Sequence, residues 1–214
     1  GNMDLREIKI FKDLNNKDLE LITSKTIFIE KNYSKGEYIF MAGDKSCDLY
    51  YLIKGKLNVY QIDSNGKRFI FQNFTKPTLF GEVYSYLKEP FDFDCECETD
   101  SQILIIKDFR KLFENPVPEA FLISYINFLS KKCLALSKKN QITSQASLRQ
   151  KIGKYLLENE KDGKVKLSMK REDLADYLST TRPSLSRELS KMADDGFIEL
   201  GNSYIKILDK NFDL

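Results

Sequence analysis

Histidine and tryptophan are both absent from this chain of 214 residues. Without histidine, the chain lacks Ser-His-Asp and Cys-His catalytic groups, a histidine ligand for a metal or a haem, and the usual residue for general acid–base chemistry at neutral pH. The composition therefore predicts a protein that is not an enzyme.

Cysteine is scarce as well. The four cysteines are Cys47, Cys95, Cys97 and Cys133, and none of them forms a CxxC pair. A structural zinc site normally uses such pairs, so we expect no metal and no cofactor. No apolar run approaches the ~20 residues of a membrane span, and no signal-peptide pattern opens the chain. We expect a cytoplasmic protein with reduced thiols and no membrane partner.

The charge is nearly balanced, with 34 basic and 32 acidic residues. One segment departs from this balance, because no acidic residue lies between Glu119 and Glu158. The basic residues in that segment are Lys131, Lys132, Lys138, Lys139, Arg149, Lys151 and Lys154. A solvated helix face explains such a run, and so does a flank that faces phosphates.

The first part of the chain reads as β structure, because short stretches rich in Ile, Tyr, Phe and Val alternate with glycines. Residues 50–53 and 57–60 flank Lys54-Gly55-Lys56, which predicts a hairpin. Asn65-Gly66 predicts a second hairpin, because a tight turn favours residues that tolerate positive φ. Many short strands with regular turns favour a barrel or a sandwich.

The segment from Phe91 to Glu98 predicts one strand with two distinct faces. Phe91, Phe93, Cys95 and Cys97 alternate with Asp92, Asp94, Glu96 and Glu98. A period of two places the aromatic rings and thiols on one face and the carboxylates on the other. We expect the apolar face to point into the barrel.

A long helix is predicted after Asn115-Pro116-Val117-Pro118, since prolines open helices. Two apolar stripes run along it. The first has coiled-coil spacing and contains Leu122, Ile126, Leu129, Cys133 and Leu136. The second contains Phe121, Tyr125 and Phe128 and is suited to pack on the β domain. We favour a dimer helix over a single buried intramolecular helix. Residues 144–147 are a candidate hinge or helix break.

The C-terminal region predicts a winged helix-turn-helix. Leu174, Ala175 and Leu178 are the inward positions of a first helix, which Ser168 or a neighbour would cap. Thr181 would cap a second helix with Pro183 in its first turn. The second helix is expected to bury Leu185, Leu189 and Met192, to expose Arg182, Ser184, Ser186, Arg187 and Lys191, and to end at Asp194-Asp195-Gly196. Two short strands after it form the wing. In this motif the second helix enters the major groove, where arginine bonds guanine O6 and N7.

In the order of these features, the whole chain resembles the cyclic-AMP receptor protein/FNR family of bacterial transcription regulators. The residues that carry the resemblance are Lys35-Gly36-Glu37, Ala42-Gly43-Asp44, Gly55, Gly66, Phe80-Gly81-Glu82, the long helix and Thr181-Arg182-Pro183-Ser184-Leu185-Ser186-Arg187. The resemblance implies an α+β protein. Its N-terminal β jelly-roll (double-stranded β-helix) sensor domain would span 1–115, its long central dimerisation helix 116–143, and its C-terminal winged helix-turn-helix DNA-binding domain 144–214.

The resemblance also implies a homodimer that reads a pseudo-palindromic operator in double-stranded DNA. Arg182, Ser186 and Arg187 take the positions of the family's base contacts. The DNA-binding candidates are Thr181, Arg182, Ser184, Ser186, Arg187 and Lys191. Pro183 stands where many relatives have Glu, so the family's usual half-site is not expected. RNA polymerase is a further candidate partner.

For the effector, the resemblance gives one feature that favours cyclic-nucleotide binding and one that argues against it. In the family's cyclic-nucleotide binders, a Gly-Glu pair meets the ribose and a following Arg-Ser clamps the phosphate. Gly81-Glu82 is present, but no arginine lies between Arg68 and Arg110. Because a guanidinium clamp supplies much of the affinity for phosphate, we expect an unknown small-molecule effector other than cyclic AMP. The candidate pocket residues are Gly81, Glu82, Val83, Tyr84, Phe91, Phe93, Cys95 and Cys133.

The leading hypothesis is therefore a dimeric, sequence-specific DNA-binding transcription regulator. Its pocket would bind a neutral or apolar molecule, bind nothing, or respond to oxidation through its thiols, which is the thiol-based redox alternative. A ligand-binding signalling module that acts through protein contacts is the other alternative, and it leaves residues 144–214 unexplained. Jelly-roll enzymes of the cupin type usually hold a metal with histidines, which this chain lacks.

Overall fold

The computed structural model describes residues 3–212, which fall into two compact units that divide between Phe128 and Leu129. The first unit contains α1 (Asn16–Lys25), β1 (Phe28–Tyr33), β2 (Tyr38–Phe40), β3 (Leu49–Lys54), β4 (Leu57–Ile62), β5 (Arg68–Phe74), β6 (Thr78–Phe80), α2 (Glu82–Leu87), β7 (Asp94–Cys97) and β8 (Ser101–Ile106), with 3-10 turns at Leu5–Glu7, Lys9–Phe11 and Phe109–Phe113. Helix α3 (Glu119–Thr143) crosses into the second unit. The second unit continues with α4 (Leu148–Asn159), β9 (Lys164–Lys166), α5 (Arg171–Tyr177), α6 (Arg182–Asp194), β10 (Ile198–Leu200) and β11 (Tyr204–Ile207).

The strands of the first unit form two antiparallel four-stranded sheets. One sheet has the order β1-β8-β3-β6 and the other the order β2-β7-β4-β5. The chain therefore passes back and forth between the sheets, as it does in a jelly roll. This confirms the predicted N-terminal β jelly-roll and the α+β class.

The hairpin predicted around Gly55 is wrong. Strand β3 pairs with β6 and β8, whereas β4 pairs with β5 and β7, so the chain crosses from one sheet to the other at this point. Gly55 has a φ of 112°, and a Cβ there would clash with the Ser101 side chain and lie 2.8 Å from the Asp100 carbonyl oxygen. The glycine therefore permits a close approach of two segments rather than a hairpin turn.

The second hairpin is confirmed. Strands β4 and β5 pair antiparallel, and Gly66 between them has a φ of 78°. Asp63 closes the turn, because its Oδ1 accepts hydrogen bonds from the backbone N–H groups of Asn65 and Lys67, each at 2.9 Å. Strand β5 lies at the edge of its sheet.

The two-faced segment around β7 has the predicted faces but a shorter strand. Phe91, Cys95 and Cys97 are all buried, as expected for the inward face. The strand begins at Asp94 rather than at Phe91. The reason is that the backbone of Phe91 bonds the turn after β2 instead of a neighbouring strand. Its carbonyl accepts from the Gly43 N–H, and its N–H donates to the Asp44 carbonyl.

Helix α3 carries its two apolar stripes in different environments. Phe121 and Tyr125 are buried, with ring centroids 5.2 Å from Phe113 and 5.7 Å from Phe109, respectively. This confirms that the second stripe packs on the β domain. The stripe with coiled-coil spacing faces solvent in the single chain, since Ile126 is 61% exposed and Leu136 is 64% exposed.

The second unit has the predicted winged helix-turn-helix. Helices α4, α5 and α6 share one buried core with a three-stranded sheet of order β10-β11-β9. Strand β9 was not anticipated. The predicted cap by Ser168 or a neighbour is wrong, because α5 begins after Lys170, which makes no side-chain cap bond. Ser168 lies too early in the chain to occupy the cap position.

The predicted helix break after α3 is confirmed. Ser147 caps α4 with a reciprocal pair of bonds: its Oγ accepts from the Gln150 N–H at 3.1 Å, and Gln150 Oε1 accepts from the Ser147 N–H at 3.2 Å. Helix α4 therefore starts independently of α3.

Candidate nucleic-acid interface and effector site

Helix α6 starts at a formed N-terminal cap. Thr181 Oγ1 accepts a hydrogen bond from the Ser184 N–H at 3.3 Å, and Pro183 lies in the first turn, where no N–H is needed. Leu185, Leu189 and Met192 are buried in the core. One face of α6 is therefore anchored, and the opposite face meets solvent.

Most of the DNA-binding candidates are exposed to solvent. The exposed ones are Thr181, Arg182, Ser186, Arg187 and Lys191. Ser184 was expected to be exposed but is half-buried. Its Oγ accepts hydrogen bonds from Thr181 Oγ1 at 2.9 Å and from Arg187 Nη2 at 3.4 Å, so it belongs to the cap and supports Arg187.

Arg182 interacts with the first helix of the motif. Its Nη1 lies 3.3 Å from Glu172 Oε1 on α5, and both side chains are more than half exposed. Water screens such a pair strongly, so it adds little stability. The guanidinium of Arg182 therefore remains available to another acceptor.

Arg149 is engaged inside the second unit. Its Nε donates to Glu188 Oε1 at 2.6 Å, its Nη2 lies 2.8 Å from Asp195 Oδ2, and its guanidinium lies 5.5 Å from the centre of the Phe197 ring. The hydrogen bond that Arg149 donates to Glu188 raises the pKa of Arg149 above its ordinary value. Arg149 therefore differs from a simple solvated cation, since its guanidinium already has partners within the second unit.

The sequence reasoning missed these carboxylate partners. Glu188 lies inside the recognition motif and was passed over, and Asp195 was taken only as a stop signal. One signal could have found them: Asp195 is acidic at the C-terminal end of α6 and Arg149 is basic at the N-terminal end of α4. Both positions oppose the helix dipole, so each charge needs a partner.

The effector candidates of the first unit lie in and around its aromatic interior. The Phe91 ring stacks on Phe40 at 3.7 Å and lies 5.3 Å from Tyr84. Phe80 stacks on Tyr50, with centroids 5.4 Å apart. Phe91 and Cys95 belong to one core cluster, against which Tyr84 and Phe93 pack. The aromatic side chains of the protein itself thus fill the space between the two sheets.

The other effector candidates differ in burial. Gly81 precedes α2 with a φ of 81°, and Glu82, the first residue of α2, is buried. Val83 is 51% exposed, and the Phe93 ring stacks on Phe71 at 4.4 Å. Cys133 is exposed on α3.

The arginines that bracket the predicted gap are both engaged elsewhere. Arg68 Nη2 lies 3.2 Å from Glu96 Oε2, and its guanidinium lies over the Tyr60 ring at 4.3 Å. Arg110 lies over the Tyr86 ring at 5.2 Å. Next to Phe91, the Tyr84 hydroxyl donates to Asp92 Oδ2 at 3.1 Å, and burial raises the pKa of Tyr84 to about 12. This side of the core therefore presents a carboxylate and a phenol.

The buried thiols are poor nucleophiles. Burial raises the pKa of Cys95 and also that of Cys97. Since the thiolate is the reactive form, both are disfavoured as redox sensors. Cys47 is exposed.

We expect iodoacetamide to modify Cys47 in the native protein at least about tenfold faster than Cys95 or Cys97, because the latter react only after local opening. Peptide mass spectrometry at timed intervals measures the three rates, and a urea-unfolded sample is the control in which they converge. Native modification of Cys95 as fast as that of Cys47 would support the redox alternative instead.

Two family models match this chain in sequence order. A cyclic nucleotide-binding domain matches residues 30–115, and a Crp-like helix-turn-helix domain matches residues 150–211. Among the helices within residues 3–212, none combines the length and hydropathy required to cross a membrane.

Several proteins to which this chain is similar are named as regulators. The probable transcriptional regulator flp of Lacticaseibacillus casei is 25% identical over 224 aligned positions, which cover 94% of this chain and 92% of that protein. The transcriptional regulator SdrP of Thermus thermophilus is 24% identical over 167 positions, covering 75% of this chain and 79% of SdrP. The structure of the c-di-GMP-responsive regulator CLP of Xanthomonas campestris is 17% identical with a TM-score of 0.59, covering 91% of this chain and all of CLP, and it supports the fold alone.

A jelly-roll effector-binding domain, a long helix and a winged helix-turn-helix define a one-component transcription regulator. The two matched domains and their order are those of the cyclic-AMP receptor protein/FNR family, and the chain belongs to this family. Regulators of this family bind DNA through the helix-turn-helix, typically dimerise and are generally not enzymes.

Proposed function

We propose that this regulator is a homodimer that recognises a pseudo-palindromic operator through α6 and responds to a small effector other than cyclic AMP. In this proposal residues 1–115 form the sensor, 116–143 the dimerisation helix and 144–214 the DNA-binding domain. The observation that carries it is the two-sided character of α6. Leu185 and Leu189 are anchored in the core, while Arg182 in the first turn and Arg187 on the outward face are exposed to solvent.

The arginines supply the specificity in this proposal. A guanidinium that donates two bonds to guanine O6 and N7 discriminates against the wrong base by about 1–3 kcal/mol. Ser186 and Lys191 are also exposed on α6 and would bond bases or phosphates. Thr181 and Ser184 would act mainly through the cap that holds Arg187. RNA polymerase remains a predicted partner.

We expect Arg182→Ala and Arg187→Ala each to weaken binding about 10- to 100-fold on a DNA duplex that the wild type selects from a random pool. Lys17→Ala is the matched control, because Lys17 is an exposed cation on α1 of the first unit. Fluorescence anisotropy titrations at two salt concentrations measure the affinities. Unchanged affinity in both arginine variants would refute recognition by α6.

For the effector we propose a neutral, largely apolar and planar molecule. The support comes from the stack of Phe40 on Phe91, from the tilted contact of Phe91 with Tyr84, and from the engagement of Arg68 and Arg110 elsewhere. An anionic phosphate would find Asp92 and the Tyr84 phenol beside these rings and no arginine clamp. A planar apolar molecule would replace one ring stack by another.

We expect cyclic AMP and cyclic GMP at millimolar concentration to leave the thermal midpoint of the first unit unchanged within about 1 °C, whereas a neutral bicyclic aromatic such as indole raises it. Differential scanning calorimetry of the full chain measures the shift. Phe69→Ala, at an exposed ring on β5, is the control for non-specific surface binding. A clear rise with cyclic AMP would contradict the proposed effector class.

A further inference from the structure

Arg149 occupies an electrostatically unfavourable position in its own helix. It lies in the first turn of α4, directly after Leu148 and the cap residue Ser147. A helix N-terminus carries partial positive charge, which disfavours a cation there. Asp195 is placed equally badly, because it caps the C-terminus of α6, where partial negative charge disfavours a carboxylate. The structure pairs these two charges with each other at 2.8 Å.

Arg149 holds α6 at a second point as well. Its Nε lies 2.6 Å from Glu188 Oε1, and the two side chains are only 18% and 19% exposed. Solvent therefore screens this pair much less than it screens the exposed pair of Arg182 with Glu172. Glu188 directly follows Arg187, and Asp195 lies about two helical turns further on. Because Arg149 holds α6 at both Glu188 and Asp195, the bridge restrains the rotation of α6 about its axis and its tilt against α4.

From this geometry we propose that Arg149 is a positioning residue for DNA recognition. By bridging Glu188 and Asp195, it sets the orientation in which Arg182 and Arg187 meet base edges. The inference rests on the proposed function. Bidentate bonding of a base tolerates little misplacement, whereas attraction to phosphates depends mainly on charge. Loss of the bridge should therefore weaken specific binding much more than non-specific binding.

The test compares the wild type with Arg149→Lys, Arg149→Ala, Glu188→Gln and Lys151→Ala. Each protein is titrated with a duplex that the wild type selects from a random pool and with a scrambled duplex of equal length and composition. Lysine keeps the charge of Arg149 but lacks the planar fork that reaches two carboxylates at once. Lys151→Ala is the control, because it removes one cation from the same helix without touching the bridge.

We expect both Arg149 variants to bind the selected duplex about tenfold or more weakly, with less than about twofold change on the scrambled duplex. Glu188→Gln should lower the ratio of the affinity for the selected duplex to that for the scrambled duplex. The double variant Arg149→Lys/Glu188→Gln should bind no more weakly than the weaker-binding single variant, because both changes remove the same Arg149–Glu188 bond. Lys151→Ala should leave the ratio unchanged. If Arg149→Ala does not fold, Arg149→Lys and Glu188→Gln still decide the result, since both nearly preserve side-chain volume.

Two outcomes would overturn this inference but leave the proposed function intact. If Arg149 contacted phosphate, Arg149→Lys would bind like the wild type and Arg149→Ala would reduce the salt slope by about one. If its role were merely structural, both affinities would fall by the same factor, because unfolded protein binds neither duplex. A wild type that enriches no sequence from the pool would overturn the proposed function together with the inference.

Discussion

Ile126→Asp is expected to convert the protein to a monomer and to weaken its binding to a duplex with two half-sites by at least about 100-fold. Ile126 is 61% exposed and is the second of the five residues in the apolar stripe of α3. In the proposed dimer the two-fold axis would bring two copies of this position together, so the variant would bury two facing carboxylates. A monomer also loses the effective concentration that links the two recognition helices. Light scattering coupled to size exclusion measures the mass, and anisotropy measures the affinity.

Asn127→Asp is the matched control for this prediction. Asn127 is exposed on the same helix but lies off the stripe, so a carboxylate there should leave the dimer intact. Cys133 provides an internal probe, because it lies on the stripe and is exposed in the single chain. Its reaction with maleimide should be slow in the wild-type dimer and fast in Ile126→Asp. An Ile126→Asp protein that remains dimeric would rule out pairing along this stripe.

Phe91→Ala is expected to lower the free energy of unfolding of the first unit by about 3–5 kcal/mol, as buried Phe-to-Ala changes do. Phe91 is 2% exposed, and its ring stacks on Phe40 at 3.7 Å. The substitution leaves a cavity between rings that cannot fully collapse. Urea unfolding followed by near-ultraviolet circular dichroism measures the change, since most buried aromatic rings lie in this unit.

Phe69→Ala is the control for packing, because Phe69 is 64% exposed on the edge strand β5. Its effect should stay within about 0.5 kcal/mol. Equal effects of the two substitutions would show that the ring stack around Phe91 contributes no more to stability than an exposed ring. A biphasic transition assigns the Phe91 effect to one unit, because two-state behaviour is not expected of a chain with two units.

Local periodicity predicted much of the second unit. The spacing of Leu185, Leu189 and Met192 identifies a buried helix face without any knowledge of its neighbours, and Thr181 announces the start of that helix. The inward face of Phe91, Cys95 and Cys97 was readable for the same reason. Each of these patterns depends on residues within about ten positions of one another.

The features that sequence reasoning missed depend on distant partners. Gly55 resembles a hairpin glycine until the approach of Ser101 is known, and the two are far apart in the chain. Arg149 looks like one more solvated cation until α6 folds back and brings Glu188 to it. No local pattern encodes such a contact, although a charge at the wrong end of a helix indicates that one exists.

Ile142 gives the last turn of α3 an unusual role. It is fully buried in the same core as Leu185 and Leu189, whereas the chain just beyond it is interrupted before α4 begins with a cap of its own. Because close-packed interiors transmit displacement, a rotation of α3 about its long axis would reach α6 through this packed side chain as well as along the backbone. Residues 144–147 interrupt the helical backbone between α3 and α4, whereas the packed Ile142 side chain keeps α3 in contact with the core that holds α6.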